Sequence, residues 1–548
     1  MDDKLQDETQ AKADLRDQER LEGERISWES TYREIDELYP DGAGGFNQTT
    51  PGAPRHDRIF DPTHLIANGR FAAAGVAITT PEESQYIRPR FLDPELMKLR
   101  SVQLWCQTAG ERIYGIRHAL HTGFITAAIE DWDQLGRYGT SPVWTDQHPS
   151  GRGLYYRTLH LSSCWIDTDF SGLVNRVHRK MTKRVSEIAE MFGTDALTPK
   201  MRAALDDNKP NAEFEVLHVV APNTDWDQEK LDHRRFPIAS RYLAMDEKIY
   251  LDRKGFHSMP IAVSRHATSA GEKYGRSPAI KMLPASKGLQ VMRKTNMRAA
   301  HKAVDPALLF FDDNGVGKLA TKPGGLNPGF MSEDGRVLVG RMPGGENGIP
   351  YAQSEAEFDR AMIRTEFLEE FFKILTDPNG RMTTTEVLEV MAKQGVIVRP
   401  FASRYASEKQ HPISQRELDL ALREGQLPPL PPEAIEAGAW PMIEYENPLA
   451  AMSRAESTSK TMRFLEAMNP LMTVDQGVMD YIDTDAMVPG IAAEIGVKPQ
   501  YVRDAEQVAA LRKARSEQEQ APVEADAIAK LAGAGLDLAK ANQISEAA

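Results

Sequence analysis

Two stretches with the apolar spacing of helices, separated by an insert rich in glycine and proline, dominate the middle of the chain. The first predicts one continuous helix from Ala285 to Val304. A short helix should precede it, opening at Ser277-Pro278 and ending or restarting at Pro284. The second stretch predicts a helix from Ser354 to Thr376. Between them, the runs 307–311 and 336–340 have strand-like composition.

The two predicted helices carry opposite charge. The first lies in a segment without acidic residues, which contains Lys273, Arg276, Lys281, Lys287, Arg293, Lys294, Arg298 and Lys302. The second is mainly acidic, with Glu355, Glu357, Asp359, Glu366, Glu369 and Glu370 against Arg360, Arg364 and Lys373. Because opposite charges attract, we expect the helices to lie side by side. The pair would also suit repeated lateral pairing around a ring.

The region before these helices is predicted to mix helices and strands. Residues Met1 to Leu38 alternate charged and small side chains, which predicts an exposed acidic helix. Further helices are predicted to end at Thr80, to span Leu96 to Ala128, and to run from Val174 to a glycine stop at Gly193. Alternation with period two predicts strands in the ranges 141–146, 153–169, 214–223, 240–248 and 260–267.

The region after the second helix is predicted to be mostly helical. A polar connection, 377–381, leads to a capped helix, 382–394, and a further helix covers Ser414 to Glu424. The segment 440–450 is predicted to return as a strand into the earlier sheet. Residues 451–515 read as helices interrupted at Pro470, Pro489 and Pro499, and the remaining tail as disordered or a loosely held helix. The fold class predicted from these patterns is α+β and helix-rich.

Composition narrows the function classes. The 548 residues are 41% hydrophobic and 27% charged, as in a soluble globular chain of several units, and no run of apolar residues is long enough to span a membrane. The charged N-terminus predicts no secretory signal. Cys106 and Cys164 lie in apolar surroundings and are predicted to be reduced core thiols. The net charge of −14 argues against a protein that wraps DNA tightly, but not against one past which DNA slides.

Catalytic motifs are absent from the sequence. It contains no GxxxxGK[ST], GxSxG or HExxH and no paired CxxC. A metal-dependent nuclease needs grouped carboxylates and a lysine. The tight carboxylate pairs Asp131 with Asp133 and Asp312 with Asp313 lack a lysine at suitable spacing, so we interpret them as exposed turn or helix residues.

An ordered set of segments resembles a known family, the head-to-tail connector or portal proteins of short-tailed double-stranded DNA bacteriophages. The segments are YGRSPAIKMLP, LQVMRKTNMRAAHKAVDPALL, the glycine-rich insert, RMTTTEV, GQLPPLPPEAI, YENPLA and DQGVMDYIDTDAMVPGIAAEIGVKPQYVRDAEQV. The resemblance runs from about Arg70 to Arg515. The long N-terminal arm and the final residues depart from it.

The resemblance implies a ring of twelve copies at one capsid vertex, with wing, stem, clip and crown regions around a central channel. The implied regions are an acidic helical arm (1–40), an α/β wing (41–272), a first stem helix (273–304), a small α/β clip (305–351), a second stem helix (352–376), a channel loop and wing return (377–448), a helical crown (449–515) and a tail, disordered or a barrel helix (516–548).

The resemblance also implies roles for individual residues. Those expected to face DNA in the channel are Asn379, Gly380, Arg381, Lys287, Lys294 and Arg298. Those expected to pair between subunits in the stem are Glu366, Glu369, Glu370, Arg293 and Lys302. We hypothesise that the glutamates meet Lys294 and Arg298 of the same or an adjacent subunit. Those expected to dock the motor and the tail adaptor on the clip are Asp312, Asp313, Lys318, Lys322, Arg336 and Arg341.

The partners implied by the resemblance are further copies of the chain, double-stranded DNA held without sequence specificity, the large terminase, a tail adaptor or tail tube protein, and the scaffolding and major capsid proteins. No membrane partner, cofactor, metal or catalytic residue is expected. The expected location is the portal vertex of the virion, after assembly in the bacterial cytoplasm. Two alternatives stay open: a virion scaffold or adaptor without a channel, and a metal-dependent nuclease.

Overall fold

Helices and strands mix along the chain in the computed structural model, which describes residues 2–40, 45–47, 56–82, 85–148, 150–151, 153–305, 307–310, 320, 322, 324–328, 330–332, 334–341, 349–369, 402–445, 464, 483–495, 497, 501–503 and 507–515. The chain divides into two units. The first comprises Met1–Tyr86 and Ile113–Glu424, and the second Ile87–Arg112 and Gly425–Ala548. Among the described helices, none combines the length and apolar character of a membrane span.

The described elements confirm a helix-rich α+β fold. The helices are α1 Asp2–Leu38, α2 Thr63–Thr79, α3 Arg100–Arg117, α4 Phe124–Tyr138, α5 Val185–Phe192, α6 Pro199–Asp206, α7 Pro278–Lys281, α8 Leu283–Val304, α9 Ile349–Glu366, α10 His411–Arg423, α11 Pro432–Glu436 and α12 Thr484–Ile495. The strands are β1 Ile87–Arg90, β2 Thr140–Gln147, β3 Leu154–Thr158, β4 Cys164–Thr168, β5 Val174–Arg184, β6 Glu213–Pro222, β7 Ile238–Ala244, β8 Ile249–Phe256, β9 Ile261–Arg265, β10 Leu308–Phe310, β11 Val339–Arg341 and β12 Met442–Tyr445.

Two antiparallel sheets form the body of the first unit. One has the strand order β4-β5-β6-β7-β8 and the other β3-β2-β9. A large hydrophobic core joins them to α2 and α4, with Phe71, Trp132 and Leu161 among its fully buried members. The strands predicted from period-two alternation are confirmed in position, although β2, β6 and β9 are buried on both faces over most of their length. The strands β1 and β8 were not predicted from the sequence.

The helix predicted from Val174 to Gly193 is wrong over its first half. Residues Val174–Arg184 form β5, and only Val185–Phe192 are helical. β5 is paired on both edges, to β4 and β6, so hydrogen bonds from its neighbours outweigh a helical spacing of apolar residues. The predicted glycine stop is confirmed, because α5 ends at Gly193 in a conformation with φ +87°.

The N-terminal helix is packed against the body, in contrast to the exposed helix predicted. Tyr32 and Ile35 of α1 are fully buried in the core. Ion pairs fix the acidic side of α1 to basic side chains of the sheet: Asp14 to Arg241 at 2.7 Å, and Asp7 to Arg253, Asp17 to Arg176 and Glu22 to Lys180. The charges that indicated exposure therefore have partners far away in the sequence.

Arg25 shows how deeply α1 is bound. Its side chain is buried, and its guanidinium donates hydrogen bonds to the carbonyl oxygens of Leu161 at 2.9 Å and Cys164 at 2.7 Å. It also lies over the ring of Trp165, 4.0 Å from the centroid. These contacts give a buried charge the polar partners that it needs in place of water.

The segment around α10 packs within the first unit and is held there by buried ion pairs. A π-helical turn, Ala406–Gln410, leads into α10. The pairs are Arg117 with Glu417 at 2.5 Å, Arg265 with Glu408 at 2.6 Å and Lys409 with Asp131 at 2.8 Å. All six side chains are less than a tenth exposed. Such pairs hold a segment in one register, because removing one partner leaves the other charge buried and uncompensated.

The described part of the second unit contains β1, β12 and helical segments. β12 pairs antiparallel with β1 alone, so the predicted return into the earlier sheet is wrong. Trp105 of α3 donates a hydrogen bond to the carbonyl of Pro428 at 3.0 Å. Pro489, predicted to interrupt a helix, is the sixth residue of α12, which continues to Ile495. A proline at this position removes one backbone hydrogen bond of the helix without ending it. Cys106 and Cys164 are free and buried, as predicted.

The stability of the first unit should depend on pH through His160. Its Nδ1 accepts the backbone N–H of Ser162 at 3.1 Å, so this atom carries no proton in the folded state. Burial, with smaller effects of Arg137 and Arg25, lowers the pKa of His160 from 6.5 to about 4. The unfolded chain therefore binds the proton first, and the free energy of unfolding should fall as the pH decreases from 6.5 towards 4.

The variant His160→Asn tests this expectation. Asparagine can still accept the Ser162 N–H but does not titrate. In urea unfolding, the free energy of unfolding should fall between neutral and mildly acidic pH by on the order of 2 kcal/mol more in the wild type than in this variant. The exposed His148→Asn is the matched control. Equal pH dependence in wild type and His160→Asn would contradict the assignment.

Candidate functional site

A rod of two antiparallel helices, α8 and α9, projects the insert between them. Ser277 starts it as predicted, because its Oγ accepts the N–H of Ile280 at 2.9 Å and donates to the carbonyl of Arg137 at 2.7 Å. The helix restarts at α8, with Pro284 in the first turn. At the near end of the rod, Lys281 pairs with Glu366 at 2.7 Å. The predicted side-by-side arrangement is confirmed, since apolar residues of both helices share one core.

The far end of the rod leads into a two-stranded antiparallel sheet. β10 follows α8 and β11 precedes α9, with Leu308 opposite Arg341. Both runs of strand-like composition thus contribute to this sheet or to the bridge between Met331 and Val337. The insert therefore begins and ends at the same place, which lets it extend beyond the rod without separating the helices.

The second rod helix differs from its predicted bounds. It begins five residues early, at Ile349, and α9 ends at Glu366, whereas 370–376 of the predicted helix lie outside the described residues. Leu368 follows with a left-handed φ of +58°, which ends the helix. This turn lets Phe367 pack against Phe71 of α2, with 6.0 Å between the ring centroids. Burial of one aromatic ring therefore determines where the helix stops.

Asp61, just before α2, holds both rod helices at once. Its carboxylate accepts two hydrogen bonds from Arg360 of α9, at 2.9 and 2.7 Å. Its backbone exchanges two bonds with the side-chain amide of Gln290 on α8, at 3.0 and 2.7 Å. The second carboxylate oxygen accepts the hydroxyl and N–H of Thr63, the first residue of α2. We call this group, Asp61 with Gln290, Arg360 and Thr63, the rod anchor.

The charges within the rod anchor balance, because the Asp61 carboxylate is ionised beside the Arg360 guanidinium. Burial by itself would raise the pKa of Asp61, but the hydrogen bonds from Thr63 and the charge of Arg360 outweigh it, and the pKa is lowered. The carboxylate thus stays ionised at neutral pH. Because it is almost fully buried, any loss of Arg360 leaves a charge without compensation.

Several residues predicted to act in the channel or between subunits have partners within the chain. Lys287 pairs with Glu34 of α1 at 2.8 Å. Glu366 pairs with Lys281, and Glu369 is buried against Arg70 of α2. For Glu366 and Glu369, the predicted same-chain pairing with Lys294 and Arg298 is therefore replaced by these contacts. Pairing between subunits stays a prediction, and Glu370 lies outside the described residues.

The outer half of α8 remains exposed in the single chain. Arg293, Lys294, Arg298 and Lys302 all face solvent. Apolar side chains are exposed beside them: Val291 at 67% and Val304 at 87% on α8, and Phe358 at 61% on α9. The outer half of the rod therefore exposes apolar positions among its charged ones.

The predicted docking residues on the insert are described in part. Lys322, Arg336 and Arg341 are exposed, whereas Asp312, Asp313 and Lys318 lie outside the described residues. The predicted channel residues Asn379, Gly380 and Arg381 also lie outside them. Their roles stay predictions.

The carboxylate pair Asp131 and Asp133 on α4 is structural. Asp131 is buried, where the sequence predicted exposure, and it accepts hydrogen bonds from Lys409 and, at 3.0 Å, from Tyr405. Asp133 binds Asn68 at 2.6 Å. A buried lysine–aspartate pair cannot reach a phosphodiester, so this site offers no nuclease chemistry. Within the described part of the chain, no group of carboxylate, histidine or cysteine side chains could hold a metal ion.

The residues of the rod anchor were not predicted from the sequence. A hint lies in the order Asp61-Pro62-Thr63, because an aspartate close to a helix start often caps it. Nothing in the local sequence marks Gln290 or Arg360 as its partners, since both lie more than two hundred residues away.

The arrangement of a two-helix rod with an insert can be compared with known proteins. A family model described as bacteriophage head to tail connecting protein matches residues 12–502. The chain belongs to this family. The resemblance read from the sequence is thereby confirmed, with one correction. The match begins inside α1, so the arm interpreted as a departure belongs to the family.

Two curated relatives match this connector over nearly its whole length. The probable portal protein of Bordetella phage BPP-1 is 26% identical over 543 residues, which cover 96% of each chain. The portal protein of Salmonella phage epsilon15 is 23% identical over 563 residues, 98% of this chain and 97% of its own. Among solved structures, a chain from the neck of an empty GTA particle is 12% identical and aligns with 77% of this connector and 92% of its own length, at a TM-score of 0.35.

Removing the Arg360 side chain should loosen the base of the rod. The variant Arg360→Ala leaves Asp61 buried without its cation, which should lower the free energy of local opening by about 1–3 kcal/mol. Hydrogen exchange measured by mass spectrometry should then be roughly 5- to 150-fold faster in peptides that contain residues 59–66 and 283–290.

Arg364→Ala is the matched control for the rod anchor. Arg364 lies one turn further along α9, is more exposed, and approaches Glu369 only to 4.0 Å. Its removal should leave exchange in both peptides nearly unchanged. Equal effects of the two variants would show that the rod anchor is not what holds the helices.

Proposed function

We propose that this connector forms a ring of twelve copies at one capsid vertex. Double-stranded DNA would be packaged and ejected through its channel, and the large terminase and a tail adaptor would dock on it in turn. The observation that carries the proposal is the family match over residues 12–502, together with a rod whose outer half exposes apolar side chains in the single chain. A connector role is structural, in line with the expectation of no catalytic group.

The described elements can be assigned to different regions of each copy in the proposed ring. We assign α8 and α9 to the stem, β10 and β11 to the base of the clip, and the sheets of the first unit to the wing. In this assignment, Val291, Val304 and Phe358 meet the next copy's rod. Burial of apolar surface stabilises each contact, and ring closure repeats it at every interface.

Charge on the rod suits a channel that holds DNA weakly. Within its bounds α8 carries basic residues and no acidic one, whereas the whole chain has a net charge of −14. Exposed Lys294 and Arg298 would contact phosphates individually, while the overall negative charge opposes tight adhesion. DNA would thus slide through instead of wrapping.

The remaining partners belong to the same proposal. The exposed Lys322, Arg336 and Arg341 would face the terminase during packaging and the tail adaptor or tail tube protein afterwards. Scaffolding and major capsid proteins would surround the ring at the vertex of the virion, after assembly in the bacterial cytoplasm. A virion scaffold without a channel is the remaining competitor, because it would share the exposed apolar rod.

Particle shape and mass decide between these functions. Purified full-length protein should show rings with a central hole in negative-stain microscopy, and native mass spectrometry should give twelve times the chain mass of 61.1 kDa. Monomers, or closed particles without a hole, would contradict the proposal.

A rod variant sharpens the same experiment. Val291→Asp with Phe358→Asp places charge on exposed apolar positions, so each chain should fold while the rings dissociate. Val304→Thr, a milder change at the same surface, is the control and should retain rings. The nuclease alternative is checked separately by plasmid cleavage in magnesium, for which no cleavage is expected.

A further inference from the structure

Two complementary features lie at opposite edges of the five-stranded sheet. The turn between β4 and β5 is at one edge, and the end of β8 is at the other. Pairing registers connect Thr168 to Val174 across the first hairpin, and Pro222 to Ile238 to Phe256 across the last three strands. Because neighbouring strands run antiparallel, the turn and the end of β8 lie at the same end of the sheet.

The turn presents Phe170 as a fixed knob. This side chain is fully exposed, at 104% of its reference area. The turn beneath it is rigid, because Asp169 Oδ1 accepts the N–H groups of Ser171 at 2.8 Å and Leu173 at 3.0 Å. The buried Arg265 also donates to the carbonyl of Gly172 at 2.7 Å. An exposed aromatic ring on a preorganised loop loses little entropy on binding, which is a property of interface hot spots.

The end of β8 borders a cavity, open to solvent, that could receive such a ring. Its volume is about 390 Å³, and its apolar lining consists of Phe236, Phe256 and Leu231, the last of which is 93% exposed. A cavity of roughly 150 Å³ already accommodates benzene in another protein. The cavity is therefore large enough for a phenylalanine side chain.

Charge around the two features is complementary. The cavity is also lined by Arg235, Arg253 and Lys254, against one carboxylate, Asp232. Arg253 and Lys254 pair with Asp7 and Asp252, so the lining is moderately positive. On the knob, Asp169 just before Phe170 is a partly exposed carboxylate, whereas Asp167 is already paired with Arg20 at 2.5 Å and with Lys273 at 2.6 Å. Such complementarity favours one orientation of docking.

We propose that Phe170 of one copy inserts into the cavity beside β8 of the next copy. This inference rests on the proposed ring and deepens it by naming a contact between wings. Opposite flanks of one sheet, at the same level, provide the head-to-tail contact that a closing ring needs. Phe170 cannot reach the cavity of its own chain, because four strand spacings, about 19 Å, separate the two edges of the sheet.

Paired cysteines test the contact directly. In Phe170→Cys with Leu231→Cys, mild oxidation of assembled protein should link chains into a disulfide ladder on non-reducing gels. Background is low, because Cys106 and Cys164 are both buried. Leu120→Cys with Leu231→Cys is the matched control, since Leu120 is equally exposed but lies away from the turn. It should give no ladder.

The possible outcomes separate this contact from the ring itself. Rings that form without the Phe170–Leu231 cross-link overturn the contact and leave the proposed function intact. Protein that never assembles overturns both.

A concentration series gives an independent measure. Phe170→Ala should raise the concentration at which rings dissociate by about tenfold or more, whereas Leu173→Ala in the same turn should change it little. An unchanged dissociation concentration for Phe170→Ala would also overturn the contact.

Discussion

The rod depends on one buried aspartate. The carboxylate of Asp61 accepts hydrogen bonds from Arg360 and Thr63, and its backbone bonds to Gln290. The helices α9, α2 and α8 therefore meet at this one residue. Each group is shielded from water, and each would be costly to leave without a partner. α2 is therefore both part of the hydrophobic core and the platform for the rod. The rod anchor therefore fixes the base of the rod more firmly than exposed ion pairs, which alone contribute little.

Charges distant in sequence hold the rest of the first unit together. The acidic α1 lies against basic strands, with Arg25 buried among backbone carbonyls. The return segment contributes buried pairs such as Arg117 with Glu417. These contacts join segments separated by more than a hundred residues. They explain how the segment that follows the rod packs back onto the sheets that precede it. The negative net charge is thus not simply a solvent-facing property, because part of it is neutralised inside the fold.

Local signals predicted well where the local chain decides the structure. The N-cap at Ser277 and the restart at Pro284 were predicted correctly, because capping and proline geometry act over a few residues. The strand β5 and the end of α9 were not, because they depend on partners brought in by the fold. Glu369 was predicted to pair with Lys294 or Arg298, whereas in the structure it is buried and pairs with Arg70 of α2.

The central claim is that the rods of many copies line a bore. A cryo-electron microscopy map of the purified assembly tests it most directly. We expect a closed ring in which α8 and α9 surround the narrow central hole, with exposed Lys294 and Arg298 facing the hole or the neighbouring rod. Rods that point away from the symmetry axis, or an assembly without a continuous opening along that axis, would contradict it.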